Sequence, residues 1–175
     1  SQISDGAAGV LWMTAEKAKS LGLRPRARIL QDVVVGTDPY YLLDGRATLS
    51  KFGLETGYEV PGGDDPPNPA FQTPLATLHA FQGWADKFLT TPRGGVEDLY
   101  LGATANVGPV ALQLIWHDFQ AEAFSQDYGS EWNASAAYKF GAKKNYEAML
   151  KFADYQADEF ATDTTKIWLQ FAATF

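Results

Sequence analysis

The sequence predicts a mainly β fold: an antiparallel meander of about six strands from a transmembrane β-barrel, incomplete as it stands, with a short N-terminal β-α-β piece in front. Three observations predict it. Apolar and polar residues alternate one by one through about six stretches, each near the ~9–11 residues that a tilted strand needs to cross a bilayer. The links between those stretches alternate short and long, as turns and outer loops do in such barrels. An aromatic, Phe175, closes the last alternating run.

The N-terminal piece comes first. Gly9-Val10-Leu11-Trp12-Met13 reads as a short apolar strand. Thr14 suits the N-cap of a helix over Ala15 to Leu21, and Gly22 suits the left-handed C′ position behind it. After Pro25, an extended stretch puts Ala27, Ile29, Val33 and Val35 on one phase. Strand, crossover helix and strand make a soluble α/β pattern. Ser1-Gln2-Ile3-Ser4 reads as a mid-domain start, not a signal peptide. The character of the chain changes near residues 36–46, so two domains are expected, 1–45 and 46–175.

Period 2 then takes over. Phe52, Leu54, Thr56, Tyr58 and Val60 oppose Lys51, Gly53, Glu55, Gly57 and Glu59. Leu99, Leu101, Ala103 and Ala105 oppose Asp98, Tyr100, Gly102 and Thr104. Val110, Leu112, Leu114 and Trp116 oppose Ala111, Gln113, Ile115 and His117. Trp132, Ala134, Ala136, Tyr138 and Phe140 oppose Glu131, Asn133, Ser135, Ala137 and Lys139. Tyr146, Ala148, Leu150 and Phe152 oppose Asn145, Glu147, Met149 and Lys151. In the last run Ile167, Leu169, Phe171, Ala173 and Phe175 oppose Lys166, Trp168, Gln170, Ala172 and Thr174. Asn106-Val107-Gly108 and Gly141-Ala142-Lys143 are expected as tight turns, and 61–96, 120–129 and 155–164 as long links.

Composition narrows the function. The 175 residues carry a formal net charge of −7, which argues against nucleic acid as a partner. Cysteine is absent, so this stretch offers no disulfide, no thiolate metal site and no Cys nucleophile. No apolar run reaches the ~18 residues of a membrane helix.

The two strand faces differ in chemistry. The apolar one carries rings near strand ends, such as Tyr58, Trp116, Trp132, Tyr138, Phe140 and Tyr146, which suits an interfacial girdle. The other carries Lys51, Glu55, Glu59, Glu131, Asn133, Lys139, Asn145, Glu147, Lys151, Lys166 and Gln170. Mixed charges at alternate positions suit a water-filled lumen, where they would tune passage of a solute or simply pair within the wall. In the long link, Phe81, Trp84, Lys87 and Phe88 either line a sugar path or form a loop core packed on itself. In an intact barrel, Trp84→Ala is expected to alter oligosaccharide flux; unchanged conductance and sugar block would discard that idea. Asp64-Asp65 and the run Asp154, Asp158, Glu159 and Asp163 lack the spacing of a defined calcium loop and read as solvated acids. His79 and His117 have no companion ligands at metal spacing and read as structural, so no cofactor, metal or catalytic residue is expected.

Two resemblances add to this. The opening run from Ser1 to Leu11, Glu16-Lys17-Ala18, the run from Leu21 to Ile29 and Val35-Gly36-Thr37-Asp38-Pro39 resemble the thiolase family over residues 1 to about 45. Thiolases transfer acyl groups to and from coenzyme A with a Cys nucleophile and His and Cys partners. None of that machinery lies in this stretch, so the resemblance implies an inert piece. The run from Phe71 to Phe81, Gly83-Trp84-Ala85-Asp86-Lys87-Phe88, Leu99-Tyr100-Leu101, the run from Asp127 to Trp132 and the final Phe175 resemble the C-terminal part of the alginate-export/porin-like family of bacterial outer-membrane barrels. That resemblance implies an outer-membrane location. It implies membrane lipid and the barrel-assembly machinery as partners, the latter reading Phe171 and Phe175, and it makes small polar or saccharide solutes the cargo. The signal departs from the family's pattern in lacking a glycine near Gln170. Together the two imply a chimera joined near Asp44-Gly45.

The expected function is therefore a partial porin-like channel for passive diffusion or export of small polar solutes or acidic sugars, non-functional as an isolated fragment, and not an enzyme. Two alternatives stay open: a thiolase-like acyltransferase fragment without catalytic residues, and a soluble β-sandwich binding module.

Overall fold

A computed structural model of the chain describes residues 19–20, 22, 40–65, 68–73, 79–142 and 144–174. Seven strands form one antiparallel sheet in sequence order: β1 (Tyr40–Leu49), β2 (Phe52–Pro61), β3 (Glu97–Val107), β4 (Val110–Gln120), β5 (Asp127–Phe140), β6 (Tyr146–Ala157) and β7 (Thr164–Ala173). The mainly β meander expected from the alternation is the observed architecture. It is a sheet not closed into a barrel, with β1 and β7 as its outer strands among the described residues. Almost none of the described chain is helical, and none of it forms a helix long and apolar enough to cross a membrane, which has no bearing on strands.

The sequence reading counted about six strands; β1 is the one it lacked. β1 runs from Tyr40 across the expected boundary at residue 45 and pairs with β2 in unbroken register, Tyr40 opposite Pro61 to Leu49 opposite Phe52. The reason is local. Tyr40-Tyr41-Leu42-Leu43 is apolar on both phases, which hides period 2 until Asp44. Lys51, expected on a strand face, therefore sits in the β1–β2 turn, with Ser50 at φ 55. Of the N-terminal β-α-β piece, only Lys19, Ser20 and Gly22 are described. Lys19 and Ser20 are helical, and Gly22 has φ 67 and donates to the Lys19 carbonyl at 3.1 Å. The strands expected over 9–13 and 27–35, and Phe175, lie outside the described residues.

The short–long rhythm holds through the connections. β3 and β4 close through Gly108-Pro109 rather than one residue earlier, because Val107 still pairs with Val110. Gly108 supplies the positive φ of 59 at the first turn position, and Pro109 fixes the second. β5 and β6 close through residues 141–145, where Lys144 donates to the Gly141 carbonyl at 3.0 Å; Lys143 is outside the described residues. The long links shorten to 121–126 and 158–163, since β5 and β6 keep pairing from Gly129 opposite Ala157.

The burial is inverted relative to a soluble sheet. The apolar face is bare: Leu49, Phe52, Leu54, Leu101, Leu114, Ile167, Leu169 and Phe171 are all exposed, Phe171 at 73%. The polar face is covered, and Glu131, Asn133 and Asp98 are each at 0%. The cover is the β2–β3 link, which folds inward over the sheet. Its Trp84, Ala85, Phe88 and Val96 pack with Phe119, Tyr128, Ala153 and Tyr155 into the only sizeable apolar core among the described residues. Phe88 lies at its centre, 4.7 Å from the Phe119 ring and 5.4 Å from that of Phe160.

One break in the alternation makes that core possible. The β4–β5 register shifts between Phe119 and Gln120, so that Phe119 opposes Gly129 while Gln120 opposes Asp127. Simple alternation from Trp132 would send Tyr128 to the bare face. The bulge turns it inward, where it is 1% exposed. Gly129 has φ 108, and a Cβ there would collide with the Gln156 carbonyl, so only glycine fits.

Candidate functional site

The site lies on the polar face, between the inward link and β1–β4. A cavity of about 270 Å³ opens there, with Leu42, Asp44 and Arg46 of β1, Glu55 and Glu59 of β2, Asp98 and Tyr100 of β3 and Gln113 and His117 of β4 on its walls. Phe81, Gln82, Gly83 and Trp84 of the link form its roof. Register explains the gathering: Tyr100 opposes both Gly57 and His117, so three strands bring their polar phase to one level.

Glu59 is buried and accepts from the Tyr40 hydroxyl at 2.6 Å and from Gln82 Nε2 at 2.8 Å. His117 Nδ1 faces both Asp98 oxygens, at 2.9 and 3.1 Å. Glu131 fixes the roof. Its Oε1 accepts the backbone N–H of Trp84 at 2.5 Å and of Ala85 at 2.8 Å. Successive backbone N–H groups aimed at one carboxylate form an anion nest. Gly83, at φ 74, permits it: a Cβ there would stand 2.6 Å from Glu131 Oε2. Glu55 at the mouth accepts from Gln113 Nε2 at 3.0 Å and faces Arg46 at 3.8 Å.

On the other side of the roof the charges reverse. Lys151 Nζ donates to His79 Nδ1 at 2.7 Å and sits 4.0 Å above the Trp84 ring. His79 Nε2 faces Asp86 at 3.4 Å, and Lys166 donates to Asp86 at 2.9 Å. Lys87 donates to Thr164 at 2.6 Å. The link is thus anchored by Glu131 at its middle and by Lys151, Lys166 and Thr164 along β6 and β7. At its outer end Asp64 accepts from Arg93 Nε at 2.7 Å and from the Ala70 N–H at 2.7 Å. Those two donors hold the Asp64 carboxyl below its usual range, the Arg93 bond being the larger cause.

The expected polar-face residues divide accordingly. Glu59 lines the cavity, Glu55 its mouth, and Glu131 and Asn133 lie buried beside it. Lys151 and Lys166 hold the link. Lys139 pairs with Glu147 at 3.6 Å near the tight-turn end, Asn145 sits in the β5–β6 turn, and Gln170 is exposed. Within the link Phe88 is packed core, Trp84 belongs to that core and also borders the cavity, Phe81 borders the cavity and Lys87 reaches β7. Phe171 is on the bare face. Sequence reasoning passed over Tyr40, Gln82 and Asp98, and took His117 as structural. Asp98 and His117 had a signal, both standing on the polar phase of neighbouring strands; the Tyr40 and Gln82 contacts span a strand and a link whose shapes no periodicity encodes. Among the described residues no group of three His, Cys, Asp or Glu is placed to hold a metal ion.

No family model matches the chain. No solved structure matches it. A stretch of 55 residues, 31% of the chain, is similar to 3-ketoacyl-CoA thiolases: 46% identical to that of Klebsiella pneumoniae, 47% to that of Salmonella typhimurium and 46% to that of an Escherichia coli strain. The chain spans 14% of the length of these curated relatives. Part of the chain is therefore thiolase-like, a likeness in tension with the expectation of no enzyme.

Proposed function

We propose that the sheet from β1 to β7 is a section of the wall of a bacterial outer-membrane channel, whose lumen side passes small polar solutes by passive diffusion. One observation carries the reading: the apolar face is bare and the charged face is covered. In water that arrangement is costly, because each bare large side chain forgoes roughly 1.5–3 kcal/mol of burial. Against lipid tails it costs nothing. The limits of the band support the same reading. Trp116, Trp132, Phe152 and Ile167 end the apolar run, and the next residues on that face are Asp118, Ser130, Asp154 and Thr165. From Leu99 to Val107 the run is about 26 Å long at ~3.3 Å per residue, close to the ~25 Å apolar band of such barrels. At the opposite rim Tyr138, Phe140 and Tyr146 stack, at 5.7 and 5.5 Å between centroids. A soluble sandwich would bury this face instead.

The test uses vesicles with lipids brominated at defined acyl depths. Trp116 and Trp132 should be quenched most strongly by bromines near the headgroups. Unquenched tryptophans, or a monodisperse protein without detergent, would overturn the reading.

A second reading follows the thiolase-like stretch, favoured by its 46–47% identity. That stretch and the sheet would be two unrelated pieces in one chain. Coenzyme A binding by calorimetry tests whether the stretch keeps a thiolase ligand; none is expected. Sequencing the source DNA across codons 36–46 tests the join.

A further inference from the structure

We infer that the cavity under the link takes a small organic cation bearing hydrogen-bond donors, such as a primary amine or diamine. The inference rests on the channel reading and names its solute class. Four carboxylates border the cavity, Asp44, Glu55, Glu59 and Asp98, while Arg46 is already turned to Glu55. Acidity alone would be a solvated wall. The second observation is a buried acceptor on the same wall that makes no hydrogen bond within the protein: Oε1 of Gln82, a residue 2% exposed. Burial pulls the His117 imidazole down, but the Asp98, Glu131 and Glu59 carboxylates outweigh it and push the group up, so His117 stands as the cationic partner of Asp98. Gln82 spends its amide hydrogen on Glu59 and presents its oxygen. That open position is an acceptor, and a buried acceptor calls for a donor.

The chemistry of the ligand follows by exclusion. A carboxylate or acidic sugar would meet four carboxylates, against Arg46 and His117, which already face Glu55 and Asp98. A metal ion lacks a set of three ligands among the described residues. An ammonium group supplies three N–H donors and a charge that balances Glu59, whose carboxyl burial otherwise pushes up to about 7. The volume, about 270 Å³, equals roughly nine waters at ~30 Å³ each, which suits an amine of amino-acid size.

The experiment titrates the full chain in dodecylphosphocholine micelles with 1,4-diaminobutane, glycerol and glutarate, followed by calorimetry, and measures tryptophan quenching in vesicles of lipid brominated along the acyl chains. Diaminobutane should bind, glutarate should not, and Glu59→Gln should weaken diaminobutane about tenfold or more, as losing a buried charged partner does. Asp44→Asn, at a half-buried mouth position, keeps the test open if Glu59→Gln fails to fold, and should weaken binding about threefold. Glutarate or glycerol binding as tightly as the diamine, no diamine binding, or unchanged affinity in the folded variants would overturn the inference. Diamine binding with unquenched tryptophans would sink the channel reading and keep the site. Quenched tryptophans without diamine preference would sink the site and keep the channel reading.

Discussion

A charge placed at two depths of the bare face separates lipid from water as its solvent. Leu114 lies mid-band on β4, with Ala103 on one side and Ala134 on the other, and it is 46% exposed. Leu99 lies at the rim, opposite Tyr58 and Asp118. In a bilayer, Leu114→Arg strands a guanidinium at the midplane and should cost about 2–4 kcal/mol, roughly 30- to 700-fold in the folding equilibrium. Leu99→Arg reaches the headgroups and gains Asp118 as a cross-strand partner, so it should cost about 0–1 kcal/mol. In water, by contrast, both positions are open surface and both changes should stay within about 0.5 kcal/mol. The assay is urea unfolding of the chain in dilauroylphosphocholine vesicles, followed by tryptophan fluorescence. Equal costs at the two depths would refute the argument, and so would a stabilising Leu114→Arg.

Other consequences concern the link. Glu131→Ala leaves the Trp84 and Ala85 N–H groups without their acceptor, at about 1–3 kcal/mol for each buried donor, and limited proteolysis should then cut within residues 79–96. Gly83→Ala forces an L side chain to φ 74 against the Glu131 carboxylate and should cost upwards of ~1–2 kcal/mol by urea titration, whereas Gly45→Ala, with nothing within 4 Å, should be neutral or slightly stabilising. Asp64 gives a pH signature. Its folded pKa is depressed, so its tether is fully present above the ordinary unfolded value near 3.8 and fades as pH falls through the lower folded value. Carboxyl carbon shifts by NMR should show that depression, and Arg93→Ala should move the titration back up.

The meander was legible because period 2 is a backbone property: each strand that alternates cleanly, such as Val110 to Trp116 or Ile167 to Ala173, was placed to within a few residues. Where both phases are apolar, as at Tyr40 to Leu43, the signal vanished and β1 was taken for a junction. The bulge at Tyr128 was equally hidden, since one extra residue shifts the phase without changing composition. The site was half legible. Glu55, Glu59 and Glu131 stood out as charges on a strand face. Their partners did not, because Tyr40 arrives on β1, whose alternation is hidden, and Gln82 and the Trp84 and Ala85 N–H groups arrive through a long link whose path is set by packing around Phe88. Asp98 and His117 stood next to each other only once the β3–β4 register was known.

The strand count carries one more consequence. In an up-and-down ring every neighbour must run opposite to the next, and a ring without a parallel seam needs an even total. β1 and β7, first and last of seven, point the same way. Whatever completes such a ring beside them must contribute an odd number of staves, the outermost pair both running counter to β1 and β7.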